Sequence, residues 1–245
     1  MSDVSPVAAA QFRAGSVLGR GFTVLRGNLP AFLLLAMLPM LPTLLDYRDV
    51  LEHRQAAGRA MELVQSLVYN IVLPTFAQAI VLYGAFQVMR GKNFLLWESA
   101  RLGLSRAQSV INLALLMGIA VGVGLILLVV PGLYLSAMLC VALPACVVEG
   151  RGAVDSMNRS GALTKGHRWK LVGIVLVLLL GDIIGAVAIS DGIGAFAGTA
   201  VTALGLLLWN SLYVAYEAIV GVIIYHDLRV AREGIDIDRI ASIFD

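Results

Sequence analysis

From Val110 to Val148 the chain contains no charged residue. As one helix this run would be about 60 Å long at 1.5 Å per residue, twice the roughly 30 Å hydrocarbon core of a bilayer. It must therefore cross a membrane twice. The Pro131-Gly132 pair within LLVVPGLYLSAM is the natural place to reverse, since proline lacks a backbone donor and glycine tolerates unusual dihedrals. The expected architecture is a tight hairpin with its tip at Pro131-Gly132 on the non-cytoplasmic side. A short helix then returns the chain and delivers Glu149 to the cytoplasmic face.

Composition extends this reading to the whole chain. Of 245 residues, 59% are hydrophobic and 14% charged, with a mean hydropathy of +0.87, far from a soluble domain. The chain is expected to be one membrane domain, residues 1–245, all-α, with six transmembrane helices at about 29–46, 64–89, 109–130, 133–149, 170–190 and 200–226. No basic-then-apolar leader with a small-residue cleavage site is evident, so the spans themselves are expected to direct insertion. A formal net charge of +2, with cations spread through the loops, argues against nucleic acid. Cys140 and Cys146 lie about 240° apart on a helix, which argues against a mutual disulfide.

Lys and Arg are retained preferentially on the cytoplasmic side. Arg13, Arg20, Arg26, Arg90, Lys92, Arg101, Arg106, Arg151, Arg159, Lys165, Arg168, Lys170, Arg229, Arg232 and Arg239 fall on one side of a six-span arrangement, and only Arg48, Arg54 and Arg59 on the other. Fifteen against three places both termini in the cytoplasm.

The first, third and fifth spans each follow a segment of mixed basic and apolar residues at helical spacing, at 12–27, 93–106 and 153–165. These are expected to be amphipathic helices lying at the cytoplasmic interface. In the first, Ala14, Val17, Leu18, Gly21, Phe22 and Leu25 share a face. The exits Leu25-Arg26-Gly27-Asn28, Ser105-Arg106-Ala107-Gln108 and Thr164-Lys165-Gly166-His167 align as residue, cation, small, polar, with Gly166 as the C-cap of its helix. A threefold repeat of interfacial helix plus hairpin accounts for this. So does a general preference for a cation and a small residue at helix ends.

Two segments, VVPGLYLSAMLCVALPACVVEGRGAVDSMNRSGALTKGHRW and IIYHDLRVAREGIDID, resemble the bacterial YciC-like membrane proteins, related to the membrane domain of some glycerophosphoryl diester phosphodiesterases. The resemblance rests on Pro131, Gly132, Pro144, Ala145, Val147, Val148, Glu149, Gly150, Ser160, Thr164, Lys165, Gly166 and Trp169, and on Tyr225, Asp227, Leu228, Arg229, Glu233 and Gly234. Ala231 stands where that family often has a basic residue. It implies a protein of the bacterial inner membrane, with no catalytic residues established for the group; no cofactor is expected. The phosphodiesterase activity of fused relatives belongs to a separate soluble barrel, for which this chain has no room.

Polar groups inside spans are the remaining candidates. Glu217 and Asp182 lie deep in the last and fifth spans, where a carboxylate is costly and marks either a cavity or a satisfied structural group. Asp182 with Asn70, Gln78, Asn112 and Asn210 is expected to line a polar interior. Gly181–Gly185 and Gly118–Gly122 are GxxxG matches that favour close helix approach. Lys165, Arg168, Trp169, Arg20 and Arg26 are candidates for contact with lipid headgroups or a partner, while Glu149 is expected to pair with a nearby cation. Gly161-Ala-Leu-Thr-Lys-Gly166 lacks the ending of a phosphate-binding loop, and His53, His167 and His226 fall on different membrane faces.

Two functions compete. One is a non-catalytic module that binds membrane lipids, a membrane-protein complex or a second copy of itself. The other is a small proton-coupled permease using Glu217 or Asp182, which requires a polar cavity reaching both acids. An intramembrane enzyme is disfavoured because no nucleophile, base or metal constellation is visible.

Overall fold

The computed structural model describes residues 14–45, 58–89, 101 and 104–233, and every regular element among them is helical. Helix α1 (Ala14–Gly27) meets α2 (Leu29–Met40) at a bend of 92°. Helix α3 (Arg59–Leu67) runs through a π turn (Val68–Val72) into α4 (Leu73–Met89). Helices α5 (Ala107–Leu127), α6 (Val129–Leu139) and α7 (Ala142–Glu149) follow. Helix α8 (Ala153–Thr164) precedes α9 (Arg168–Val187), whose end is a second π turn (Ala188–Ile193), and α10 (Thr199–Glu233) closes the described chain.

Five helical stretches are long and apolar enough to cross a membrane, namely Met61–Met89, Ala107–Leu127, Val129–Glu149, Arg168–Ile193 and Thr199–Glu233. A sixth is reached if the bent pair α1–α2 counts as one broken span. The outward faces are apolar, with Leu38 68% and Ile126 86% exposed, as in a helical membrane protein whose solvent is lipid. The first expected span, 29–46, is shorter than the sequence suggests. Helix α2 has 12 residues and carries Pro39 near its end, so it covers only about 18 Å. The helices expected at 12–27 and 153–165 correspond to α1 and α8. That at 93–106 lies outside the described residues except for Arg101 and 104–106.

The reversal between α5 and α6 is not at Pro131-Gly132. It is made by Leu128 alone, in extended conformation (φ −163°, ψ 142°). Pro131 then falls in the first turn of α6, where its missing N–H would have had no partner anyway. Gly132 is buried where the helices cross, and a Cβ there would strike Leu125 while one on Gly124 would lie 3.0 Å from the Gly132 backbone. The glycines permit the approach of the two helices, and the proline starts the second.

The break between α6 and α7 follows from Pro144, which lacks an N–H and whose ring crowds the carbonyl four residues earlier, on Cys140. Helix α10 is the hub and packs against α1, α2, α4 and α9, with α7 and α8 near its C-terminal half. Ile219, Ile223, Tyr225 and Leu228 of α10 are fully buried. Helix α1 is no isolated surface helix: Val17, Gly21 and Leu25 are buried, and α1 packs on α10. A Cβ on Gly21 would lie 2.9 Å from Val220. Phe22, expected on the same face, is 58% exposed.

Candidate functional site

Two groups of polar residues stand out, one at the end of α10 and one within the apolar bundle. The first is built on Glu149, the last residue of α7. Its carboxylate accepts hydrogen bonds from Arg151, from Arg159 Nε (2.9 Å) and from the Tyr225 hydroxyl (2.7 Å). Arg229 donates to the Tyr225 hydroxyl (3.1 Å) and to Glu233 (3.0 Å), and Arg159 also reaches Glu233 at 2.5 Å. Burial opposes the charge on Arg159, but its bonds to Glu233 and Glu149 outweigh that and hold the guanidinium above its ordinary range. Beside this network Arg20 pairs with Asp227, whose carboxylate also lies 3.3 Å from His226 Nδ1.

The small and hydroxylic residues near Glu149 serve the backbone. Gly150 adopts a left-handed conformation (φ +68°), and the Arg106 guanidinium occupies the space a Cβ would need. Gly166 (φ +88°) ends α8 in the same region of conformational space. Where α6 stops, its last carbonyls lose their helical donors. Ser160 and Thr164, one turn apart on α8, both donate to the Met138 carbonyl, at 2.7 and 3.3 Å.

The expected lipid-facing residues divide. Arg168 donates to the Tyr134 hydroxyl (2.8 Å) and to the Gly161 carbonyl (3.1 Å), and Arg20 is tied to Asp227. Both therefore have protein partners, Arg168 half-buried and Arg20 still exposed. Trp169 is 70% exposed and leans on Tyr134 with ring centroids 6.0 Å apart. Lys165 and Arg26 are exposed, and the Lys165 carbonyl accepts from Arg232.

The second group lines two adjoining cavities of about 460 and 280 Å³ that share Asn70, Thr75, Gln78, Asp182 and Glu217. Gln78 on α4 donates to Glu217 on α10 at 2.7 Å. Trp209 Nε1, also on α10, donates to the Asp182 carboxylate at 3.2 Å. Two glycines of α9 make that contact possible: a Cβ on Gly185 would land inside the Trp209 ring, and one on Gly181 would lie 3.3 Å from the Tyr213 hydroxyl. The Trp209 and Tyr213 rings stack at 5.8 Å, and Tyr213 donates to the Leu178 carbonyl. The Gly118–Gly122 match works only by half, since Gly118 abuts Ile71 and Gly122 has nothing near it.

Asn210 also lines the smaller cavity, so four of the five residues expected in a polar interior meet there with Glu217. Asn112 does not: it accepts from Gln108 (3.0 Å) and lines a separate hollow with residues 152–155. Sequence reasoning missed Trp209, Tyr213 and Thr75, because aromatic and hydroxyl residues are unremarkable in a span until a cavity beside them is known. The wall of the larger cavity is apolar, formed by residues such as Leu133, Leu139, Leu143, Leu171 and Ile174.

No curated protein and no solved structure matches the chain. Residues 6–228 match the family model described as a domain of unknown function, DUF7847, and with nearly the whole chain covered the protein belongs to that family.

Proposed function

We propose that the protein is a non-catalytic, six-span protein of a bacterial inner membrane, with both termini cytoplasmic, that holds a lipid-like molecule between α4, α5, α6, α9 and α10. The observation that carries this reading is the cavity of about 460 Å³, apolar along its wall and polar at Asp182 and Glu217. Its volume falls within the roughly 300–1,000 Å³ of small-molecule sites. The sixth span is α1–α2 taken as one broken crossing, and the cation count sets the orientation. Helix α1 before α2, and α8 before α9, are two instances of the proposed threefold unit, an interfacial helix leading into a hairpin. Kinship with the YciC-like proteins agrees with the contacts of Thr164 with Ser160 and of Tyr225 with Glu149, which join landmark residues of that resemblance in pairs.

The test is mass spectrometry of lipid retained by protein purified gently from its native membrane. A stoichiometric species enriched over the bulk lipid is expected, and it should be lost from Gly221→Leu, whose new side chain enters the cavity while the protein keeps its thermal stability. No enrichment in the unsubstituted protein, or unchanged retention in Gly221→Leu, would overturn the reading. Copurification of a stoichiometric protein in place of lipid would point to a complex subunit.

A second reading, a proton-coupled permease, is favoured by one observation: Asp182 and Glu217 border the same cavities. It requires proton flux in sealed proteoliposomes that Glu217→Gln abolishes.

A further inference from the structure

We infer that the molecule held in this cavity is a cationic amphiphile, with an amine or quaternary ammonium head between Asp182 and Glu217 and its chain along the apolar wall. The inference rests on the cavity reading above and adds the charge of the ligand. Three independent observations carry it.

The first is the sign of the lining. Asp182 and Glu217 border both cavities, and among the described residues no Lys, Arg or His lines either of them. An anionic head would meet two acids and no cation in a setting of low dielectric, where like charges repel most.

The second is the spending of donors. Thr75 donates to the Ile71 carbonyl, Asn70 to Ser66, Asn210 to Leu206, Ser136 to Gly132 and Tyr213 to Leu178, while the Gln78 amide donates to Glu217 itself. Each of these lining groups directs a donor back to the protein, as the Trp209 indole does to Asp182, and the second N–H of each amide is outnumbered by the oxygens of the two carboxylates and three amides. What the cavity offers a ligand is therefore an excess of acceptors, which an ammonium head complements and a sulfate or phosphate head does not.

The third is the company of the acids. Tyr69 and Tyr213 line the smaller cavity with them, and Trp209 stacks on Tyr213. Aromatic faces beside carboxylates are the surroundings in which ammonium and quaternary ammonium groups are held. The adjoining larger cavity is lined by aliphatic side chains from Leu125 and Leu133 to Leu171 and Ile224. A chain of methylenes fits that wall, whereas a bare metal cation would leave it unused.

The experiment uses the full chain in nanodiscs of zwitterionic lipid, with Trp97→Phe and Trp169→Phe leaving Trp209 as the one tryptophan, excited selectively over the tyrosines. Dodecyltrimethylammonium, dodecyl glucoside and dodecyl sulfate share one tail and differ in charge, and each is titrated below the concentration that disturbs the bilayer. Partitioning into lipid is subtracted using the Gly221→Leu protein. The expected result is a saturable change in Trp209 emission with the ammonium compound alone, weakened at least tenfold by Asp182→Asn combined with Glu217→Gln. Both substitutions keep an acceptor oxygen for Trp209 and Gln78. Equal saturation by the glucoside, tighter binding of the sulfate, or unchanged ammonium binding in the double variant would overturn the inference. So would the absence of saturation with all three compounds. In each of those cases, native lipid retained by the unsubstituted protein and lost from Gly221→Leu would leave the cavity reading standing. The three-compound series on intact acids decides the question even if the double variant does not fold.

Discussion

Glu149 is where single residues matter most. Its side chain is 12% exposed and carries bonds from Arg151, Arg159 and Tyr225. Glu149→Gln leaves the cations of α8 and α10 undercompensated and should cost about 2–4 kcal/mol, as for one partner removed from a largely buried network. Tyr225→Phe removes a hydroxyl that accepts from Arg229 and donates to Glu149, and should cost about 1–2 kcal/mol. The Arg151 side chain is 45% exposed, so Arg151→Ala should change stability by less than about 1 kcal/mol. Denaturation in mild detergent, followed by helix signal against denaturant, ranks the three. An Arg151→Ala loss equal to that of Glu149→Gln would show that the buried part of the network contributes nothing. The pairing of Glu149 with a cation could be read from the sequence, because a carboxylate at the end of an apolar run needs a partner. The Met138 carbonyl as the target of Ser160 and Thr164 could not, since it depends on where Pro144 breaks the helix.

At the scale of elements, hydropathy located the helices well and their ends less well. The span expected at 200–226 extends to Glu233, because the polar last turns are held by contacts with α1, α7 and α8 that hydropathy does not register. The reversal at Leu128 carries no residue signal, since a leucine in extended conformation looks like any other leucine. The polar interior was legible for a firmer reason: amides and acids inside a span must find partners there. The glycine pairs were legible as close approaches, but not which of them were used. Gly185 seats the Trp209 ring, and Gly122 has nothing within 4 Å. Gly185→Ala should therefore push Trp209 off Asp182, cost about 1–3 kcal/mol as overpacking does, and shift the Trp209 emission, while Gly122→Ala leaves both unchanged. Equal behaviour of the two variants would mean that α9 and α10 are not held at this contact.

For the molecule as a whole, the length of α10 constrains how it can sit in a membrane. At 35 residues it is about 52 Å long, against a core of roughly 30 Å, so even at a tilt of about 40° more than about 10 Å stands outside the hydrocarbon. The charged residues choose which end protrudes. Asp227, Arg229, Arg232 and Glu233 lie in the last two turns, and the opposite end, from Thr199, has no charge until Glu217. Projection at the C-terminal end brings Tyr225 through Glu233 level with Glu149, Arg159 and Arg20, which is where their contacts lie. It also leaves Glu217 within the core, beside Gln78.

The proposed orientation puts that charged end in the cytoplasm, and single cysteines test the proposal in a background of Cys140→Ala and Cys146→Ala. Leu128→Cys at the reversal between α5 and α6 and Phe196→Cys, at a position 95% exposed, should react in intact cells with a membrane-impermeant maleimide. Gly152→Cys and Ala231→Cys, both at exposed positions, should react only after permeabilisation. Labelling of Phe196→Cys and Ala231→Cys from the same side would mean that α10 does not span. In that case Glu217 would no longer be an intramembrane acid, and the cavity beside it would have to open to water.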